Sequence, residues 1–126
     1  MVGVDLDSEM LETARARCPL ASWIEGDIST IQLGRTFDIV LMAGNVINFA
    51  APDVRRKAVE NLVRHLQPGG LLINGHSIIP EGCPPPVFAM WAEAAGLELV
   101  ERWSTWDQDA LADGSVYSLT VHRLKA

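Results

Sequence analysis

Cysteine is scarce in this chain, and basic residues are outnumbered. Of its 126 residues two are cysteine, Cys18 and Cys83, and they stand far apart. Neither has a short-spaced companion, and His65, His76 and His122 do not supply one. That spacing argues against a metal site, leaving two free thiols in a reducing cytoplasm as the expectation. Ten Lys and Arg against sixteen Asp and Glu give a formal charge of −6, with no basic cluster beyond residues 55–57. Such a chain lacks the positive face that grips a phosphate backbone, so nucleic acid is not an expected partner. No apolar run approaches the ~20 residues that cross a bilayer. The first residues lack the basic-then-apolar order of a secretory signal. A cytoplasmic location without a membrane partner is the expectation. There is no Gly-x-Ser-x-Gly, no phosphate-binding glycine loop and no visible nucleophile–base arrangement.

What is present suits one domain with an ordinary apolar fraction of 48%. Val2 to Val4 reads as a short buried strand. Asp7 or Ser8 then caps a helix whose apolar face is Met10, Leu11, Ala14 and Cys18, and Pro19 stops it. Ala21 to Glu25 is a second strand. Phe37 to Ala43 is almost entirely apolar, as a strand covered by helices on both faces should be. Pro52 suits the first turn of a helix with a stripe of Val54, Ala58, Val59, Leu62, Val63 and Leu66. Arg55, Arg56, Glu60 and Arg64 would face outward. Residues 67–70 predict a turn, Leu71 to Asn74 a buried strand, and Val87 to Ala95 a helix closed by Gly96. Leu97 to Trp106 and Ser115 to Leu124 read as an antiparallel ribbon. Strand–helix alternation with apolar strands predicts an open, mostly parallel α/β sheet with helices on both faces.

Ligands of such sheets sit outside the carboxyl ends of the strands. The residues to weigh are therefore Asp5 and Leu6, residues 26–28, residues 43–45 and residues 75–77. Asp5 is either a capping residue or a carboxylate that accepts bonds from a ribose diol. Asp27 is either a solvated loop residue or an acceptor for an adenine amine. Two acids after neighbouring strands favour an adenosine site. Gly44 is a tight turn or a place where a ligand nears the backbone. Asn45 and Asn48 either present amides to a substrate or satisfy nearby backbone. His76 stands where a general base would, yet lacks an evident partner, which favours a structural role. Trp91, Trp103 and Trp106 are expected to pack the sheet rather than wall a pocket.

Taken together, VGVDLDSEMLETAR, EGDIS, FDIVLMAGNVINF and VENLVRHLQPGGLLIN resemble a class I S-adenosylmethionine-dependent methyltransferase. AAGLELVERWSTWD and SVYSLTVHRL resemble the last helix and antiparallel strand pair of that family. The resemblance implies a Rossmann-like fold and S-adenosylmethionine as cofactor. It implies that Asp5 holds the ribose hydroxyls and Leu6 packs on adenine. Asp27 would bind the adenine amine, with Ile28 on the ring, and Ala43, Gly44 and Asn45 would line the methionine portion. No catalytic residue is implied, since methyl transfer needs chiefly alignment. The Asn-Pro-Pro-Tyr type of amino-methylating motif is absent. The family also carries a strand and glycine-rich turn ahead of the segment that begins here at Val2. Residues 1–126 thus resemble a partial methyltransferase domain, a carboxyl-terminal portion from an internal start or truncated gene model. Its first central strand would be missing, leaving a gap or abnormal closure between the first strand and Phe37–Ala43. The expected function is methyl transfer to a small-molecule acceptor. The alternatives are a non-catalytic fragment unable to bind cofactor alone and a nicotinamide-dependent oxidoreductase.

Overall fold

In the computed structural model, which describes residues 1–125, Val2–Asp5 forms strand β1 and Ser8–Arg17 forms helix α1. The Asp7 carboxylate caps α1 by accepting from the amides of Glu9 and Met10. Two of the four orphan donors of the first turn are thereby satisfied. Strand β2 (Ser22–Glu25) returns parallel to β1, pairing Val2 with Ser22 and Asp5 with Glu25. Then come β3 (Phe37–Met42), the single turn α2 (Val46–Phe49), a 3₁₀ turn over Pro52–Val54 and α3 (Arg55–Arg64). Strand β4 (Leu66–Ser77), α4 (Pro85–Ala94), β5 (Leu97–Trp103) and β6 (Tyr117–Leu124) complete the order.

These strands make two sheets. β1 and β2 form one; the other has the order β3-β4-β6-β5. β3 runs parallel to β4, and β6 antiparallel to both β4 and β5. β1 and β3 belong to different sheets and do not pair with each other. α3 and α4 cover one face of the larger sheet. Val59, Val63, Phe88 and Ala92 join Met42, Leu66, Leu72 and Leu97 in the buried cluster. Each large side chain removed from water there contributes ~1.5–3 kcal/mol, which makes this layer the fold's main apolar support.

Several expectations are corrected. β3 is not covered on both faces: Ile39 and Leu41 are 56% and 58% exposed, since α3 and α4 lie on the other side. β1 is half-buried rather than buried. On α1 only Leu11 is buried, and Met10 is exposed. The reversal at residues 67–70 is an irregularity inside a longer β4. Phe37 pairs with Leu66 and Ile39 with Leu71, so the chain bulges around Pro68, which has no amide to give. Leu66 therefore belongs to the strand and not to the helix stripe. At the other end β4 runs on through Gly75, His76 and Ser77, because β6 pairs with it as far as Ser77. Arg55 does not face outward. It is buried, and its guanidinium donates to the carbonyls of Ala50, Asn48 and Glu81 at 3.1, 3.0 and 3.3 Å.

Candidate functional site

The parallel register of β1 and β2 puts the two acidic stations side by side. The Gly26 amide donates to the Asp5 carbonyl at 3.0 Å, so Asp27 follows one residue beyond that contact. Asp5 Oδ1 accepts from the Asp7 amide at 2.9 Å, which turns the chain toward α1 and fixes the carboxylate. Its other oxygen has no partner among the described residues. Asp27 Oδ1 accepts from both the amide and the hydroxyl of Ser29 at 2.8 Å. Those two bonds, the backbone one first, with Lys57 nearby, hold its carboxyl below the ordinary aspartate range against a smaller opposing effect of burial. Leu6 stands 69% exposed just after Asp5. Ile28 is anchored through its carbonyl, which accepts from Asn61 Nδ2 at 2.9 Å; the same amide reaches Ile31 O at 2.8 Å. A polar residue in the buried stripe of α3 thus suspends the loop that carries Asp27.

The third station lies at the end of β3. Gly44 and Asn45 both have positive φ, 76° and 69°, which glycine adopts freely and asparagine better than most residues. A side chain at Gly44 would meet nothing within 4 Å, so its requirement is conformational and the space above it is open. Asn45 is tied to the end of β4: its amide donates to Gly75 O, and its Oδ1 accepts from the Ser77 amide. Asn48 completes the clamp. Its Nδ2 donates to Ser77 O at 2.9 Å, and its Oδ1 accepts from the Cys83 amide at 2.9 Å. With Arg55 bridging residues 48, 50 and 81, the segment after β3 is held by side chains.

Asp5, Leu6, Asp27 and Ile28 are therefore grouped at the carboxyl end of one sheet, and Ala43, Gly44 and Asn45 stand at the end of the other. His76 is not among them. It is buried within β4 beneath α4, with Nε2 donating to Cys83 O at 2.9 Å and Nδ1 accepting from Asn74 Nδ2 at 3.0 Å. Burial pushes its pKa down, so it is a neutral structural group. Arg55, Asn61 and Ser29 were not read from the sequence as site residues. The one available signal was Asn61, a polar side chain at apolar helical spacing. An open groove lined by Arg35, Thr36, Arg64 and His65 lies before β3 and β4, at the wrong strand ends for this site. Its His65 is engaged with Asn61 O and the Leu33 amide. Among the described residues no group of three or more His, Cys, Asp or Glu side chains is placed to hold a metal ion, and no helix is long and apolar enough to cross a membrane.

A family described as a methyltransferase domain matches residues 1–70. The dTDP-3-amino-3,4,6-trideoxy-alpha-D-glucopyranose N,N-dimethyltransferase of Streptomyces venezuelae is 35% identical over 95% of this chain and 49% of its own length. The dTDP-3-amino-3,6-dideoxy-alpha-D-glucopyranose N,N-dimethyltransferase of Streptomyces fradiae is 30% identical over 98% of this chain and 48% of its own. The chain spans about half the length of the curated relatives it matches. A crystal structure of a TehB-like SAM-dependent methyltransferase from Corynebacterium glutamicum superposes with a TM-score of 0.90 at 34% identity. That match covers 99% of this chain and 67% of the other.

Proposed function

Because this chain belongs to the S-adenosylmethionine-dependent methyltransferase family, we propose that it takes part in methyl transfer to an amine on a small, sugar-like acceptor. The observation that carries the reading is the pair of carboxylates at adjoining parallel strand ends, each with one oxygen oriented by backbone and the other open. That donor set fits an adenosine, which presents two ribose hydroxyls and one exocyclic amine as hydrogen-bond donors. Asp5 accepts from the hydroxyls, Asp27 from the amine, and exposed Leu6 and anchored Ile28 offer apolar contact to the ring. Ala43, Gly44 and Asn45 line the methionine portion, where the open space over Gly44 leaves room for it.

When bound, S-adenosylmethionine would supply a sulfonium methyl whose carbon an acceptor lone pair attacks in line, the C–S electrons leaving with the thioether sulfur and an amine's proton going to solvent. The protein's own part is alignment, and rigidity at residues 43–45 serves it: a well-held near-attack geometry accounts for several kcal/mol of a transfer barrier. The amine rests on the names of the two Streptomyces relatives, both of which act on amino sugars carried on dTDP. No observation favours the nicotinamide reading over this one.

The test is transfer from radiolabelled S-adenosylmethionine to a dTDP-3-amino sugar by the full chain, with NADH binding measured in parallel. Label on the sugar nitrogen is expected. Label that goes to no amine although S-adenosylhomocysteine binds would remove the acceptor; binding of NADH alone would remove the cofactor.

A further inference from the structure

The loop between β5 and β6 presents one tryptophan in an unusual way. Trp106 is half exposed, yet its turn is tightly held. Thr105 Oγ1 donates to Asp109 Oδ2 at 2.7 Å and accepts from the Asp107 amide, while the Ser104 amide donates to Asp109 O at 2.7 Å. The indole N–H is spent internally, on Tyr117 Oη at 3.1 Å. Of the other tryptophans, Trp23 bonds Cys18 O, Trp91 packs against the core, and Trp103 Nε1 donates to Glu101 Oε2 at 3.3 Å.

The two rings lie against Gly75. A Cβ at Gly75 would collide with Tyr117 Oη and stand 2.7 Å from Trp106 Cζ2, so the aromatic pair needs a residue without a side chain there. Gly75 is the residue whose carbonyl accepts from the Asn45 amide, and Tyr117 pairs with Ser77, whose amide donates to Asn45. The half-exposed indole thus flanks the station proposed for the reacting end of the cofactor. On the same sheet face, Leu41 is exposed opposite Ile73, two residues before Gly75 in β4. A rigid, amphipathic ring with its polar atom already satisfied offers an apolar face and little else, at low entropic cost to a ligand that lies on it.

We infer that Trp106, held by Tyr117 over Gly75, is the wall on which the methyl acceptor lies, and that the acceptor is a ring with an apolar face, of which a pyranose is the class to try. Trp106 is a positioning and specificity residue in this inference, which rests on the methyl-transfer reading above. Stacking orients the ring so that its nucleophile faces residues 44 and 45. Tyr117 acts through Trp106.

The experiment uses the full chain with saturating S-adenosylhomocysteine and a dTDP-3-amino sugar as probe, followed by calorimetry, and steady-state kinetics with S-adenosylmethionine. Trp106→Ala is expected to weaken sugar binding and raise its KM at least tenfold, leaving the S-adenosylhomocysteine Kd within twofold. Trp106→Phe should restore most of the loss, and Tyr117→Phe should fall between. Because Trp106 is half exposed, its substitution does not empty the core. An unchanged sugar KM in Trp106→Ala would overturn the inference, as would a wild-type protein that binds S-adenosylhomocysteine but no amino sugar. In both cases the cofactor reading stands. Failure of the wild type to bind S-adenosylhomocysteine would overturn the methyl-transfer reading and the wall with it.

Discussion

The proposed site gives Asp5 and Asp27 different work with the same side chain. Asp5 is expected to meet a diol, so Asp5→Ala should weaken S-adenosylmethionine binding by about 1.5–3 kcal/mol, the worth of charge-assisted hydrogen bonds. Calorimetry would show it; an unchanged Kd with normal circular dichroism would remove Asp5 from the site. Asp27→Ala should cost S-adenosylmethionine, S-adenosylhomocysteine and adenosine alike, because an adenine contact does not sense the methyl group. Loss confined to the methyl donor would place Asp27 near the sulfonium instead. The two histidines beside Phe88 call for a different measurement. His76 and His122 lie on the β4 and β6 face under α4, with ring centroids 6.2 and 6.0 Å from Phe88, and burial pushes both pKa values down. The folded state binds fewer protons than the unfolded one. Stability is therefore whole above the ordinary histidine value of about 6.5 and falls as pH drops below it, until the folded form is protonated too. The slope reaches at most about 1.4 kcal/mol per pH unit for each histidine. His122 has no partner at either ring nitrogen among the described residues. His122→Leu should thus flatten the fall in urea midpoint between pH 7 and 5 without loss at pH 7. An unaltered slope would show that His122 does not titrate on unfolding. The residues at strand ends were legible because an acid after an apolar run is a local pattern. Arg55 and Asn61 were not, because their partners include loop carbonyls more than twenty residues away, Glu81 for Arg55 and Ile28 and Ile31 for Asn61.

Among the elements, β4 shows most clearly where local reading stops. Residues 71–74 are apolar and read as a strand, whereas Gly75, His76 and Ser77 carry no such signal. They are strand because β6 supplies a partner as far as Tyr117. Pro68 and its glycines read as a turn, and they do break regularity, but the ladder resumes with Leu71 opposite Ile39 and absorbs the break as a bulge. The order of elements, the parallel pairs and the antiparallel ribbon were legible from periodicity and turn residues. The turn α2 was not, since four residues are too few for a period. Its neighbour Arg55 is the element-scale test. Arg55→Ala would free three carbonyls at once, those of Ala50, Asn48 and Glu81, in a region where Arg55 is buried. A loss of about 2–4 kcal/mol in stability is expected, as for charged hydrogen bonds and the partners they leave behind. Faster amide exchange should appear at Cys83, whose amide bonds Asn48. Arg55→Lys should recover only part, because one ammonium lacks the planar fork that reaches all three. Wild-type exchange at Cys83 in Arg55→Ala would show that the clamp does not depend on the guanidinium.

At the scale of the whole molecule, the chain is two sheets joined mainly through α3. β1 and β2 pair only with each other, and Asn61 and His65 tie the segment after β2 to the helix. The edges of β1 and β3 that lie at the ends of their sheets carry backbone donors and acceptors outside any ladder. Each such group costs about 1–3 kcal/mol if buried, against a domain stability of about 5–15 kcal/mol. Hydrogen exchange on the chain as a monomer is thus expected to protect Leu72 and Thr120 strongly and Val4 weakly. A single cooperative transition with strong protection at both Val4 and Val40 would contradict this division. A ligand that spans the strand ends stabilises the state in which both sheets are in place, so cofactor binding and sheet docking should be linked. The most direct measurement of the central claim is a map of amide chemical shifts on titration with S-adenosylhomocysteine. Saturable shifts are expected at Leu6 and Asp7, at residues 27–29, and at Gly44 and Asn45, with Arg35 and Arg64 unmoved. Absence of saturable shifts, or shifts gathered around Arg35 and Arg64, would contradict the site described.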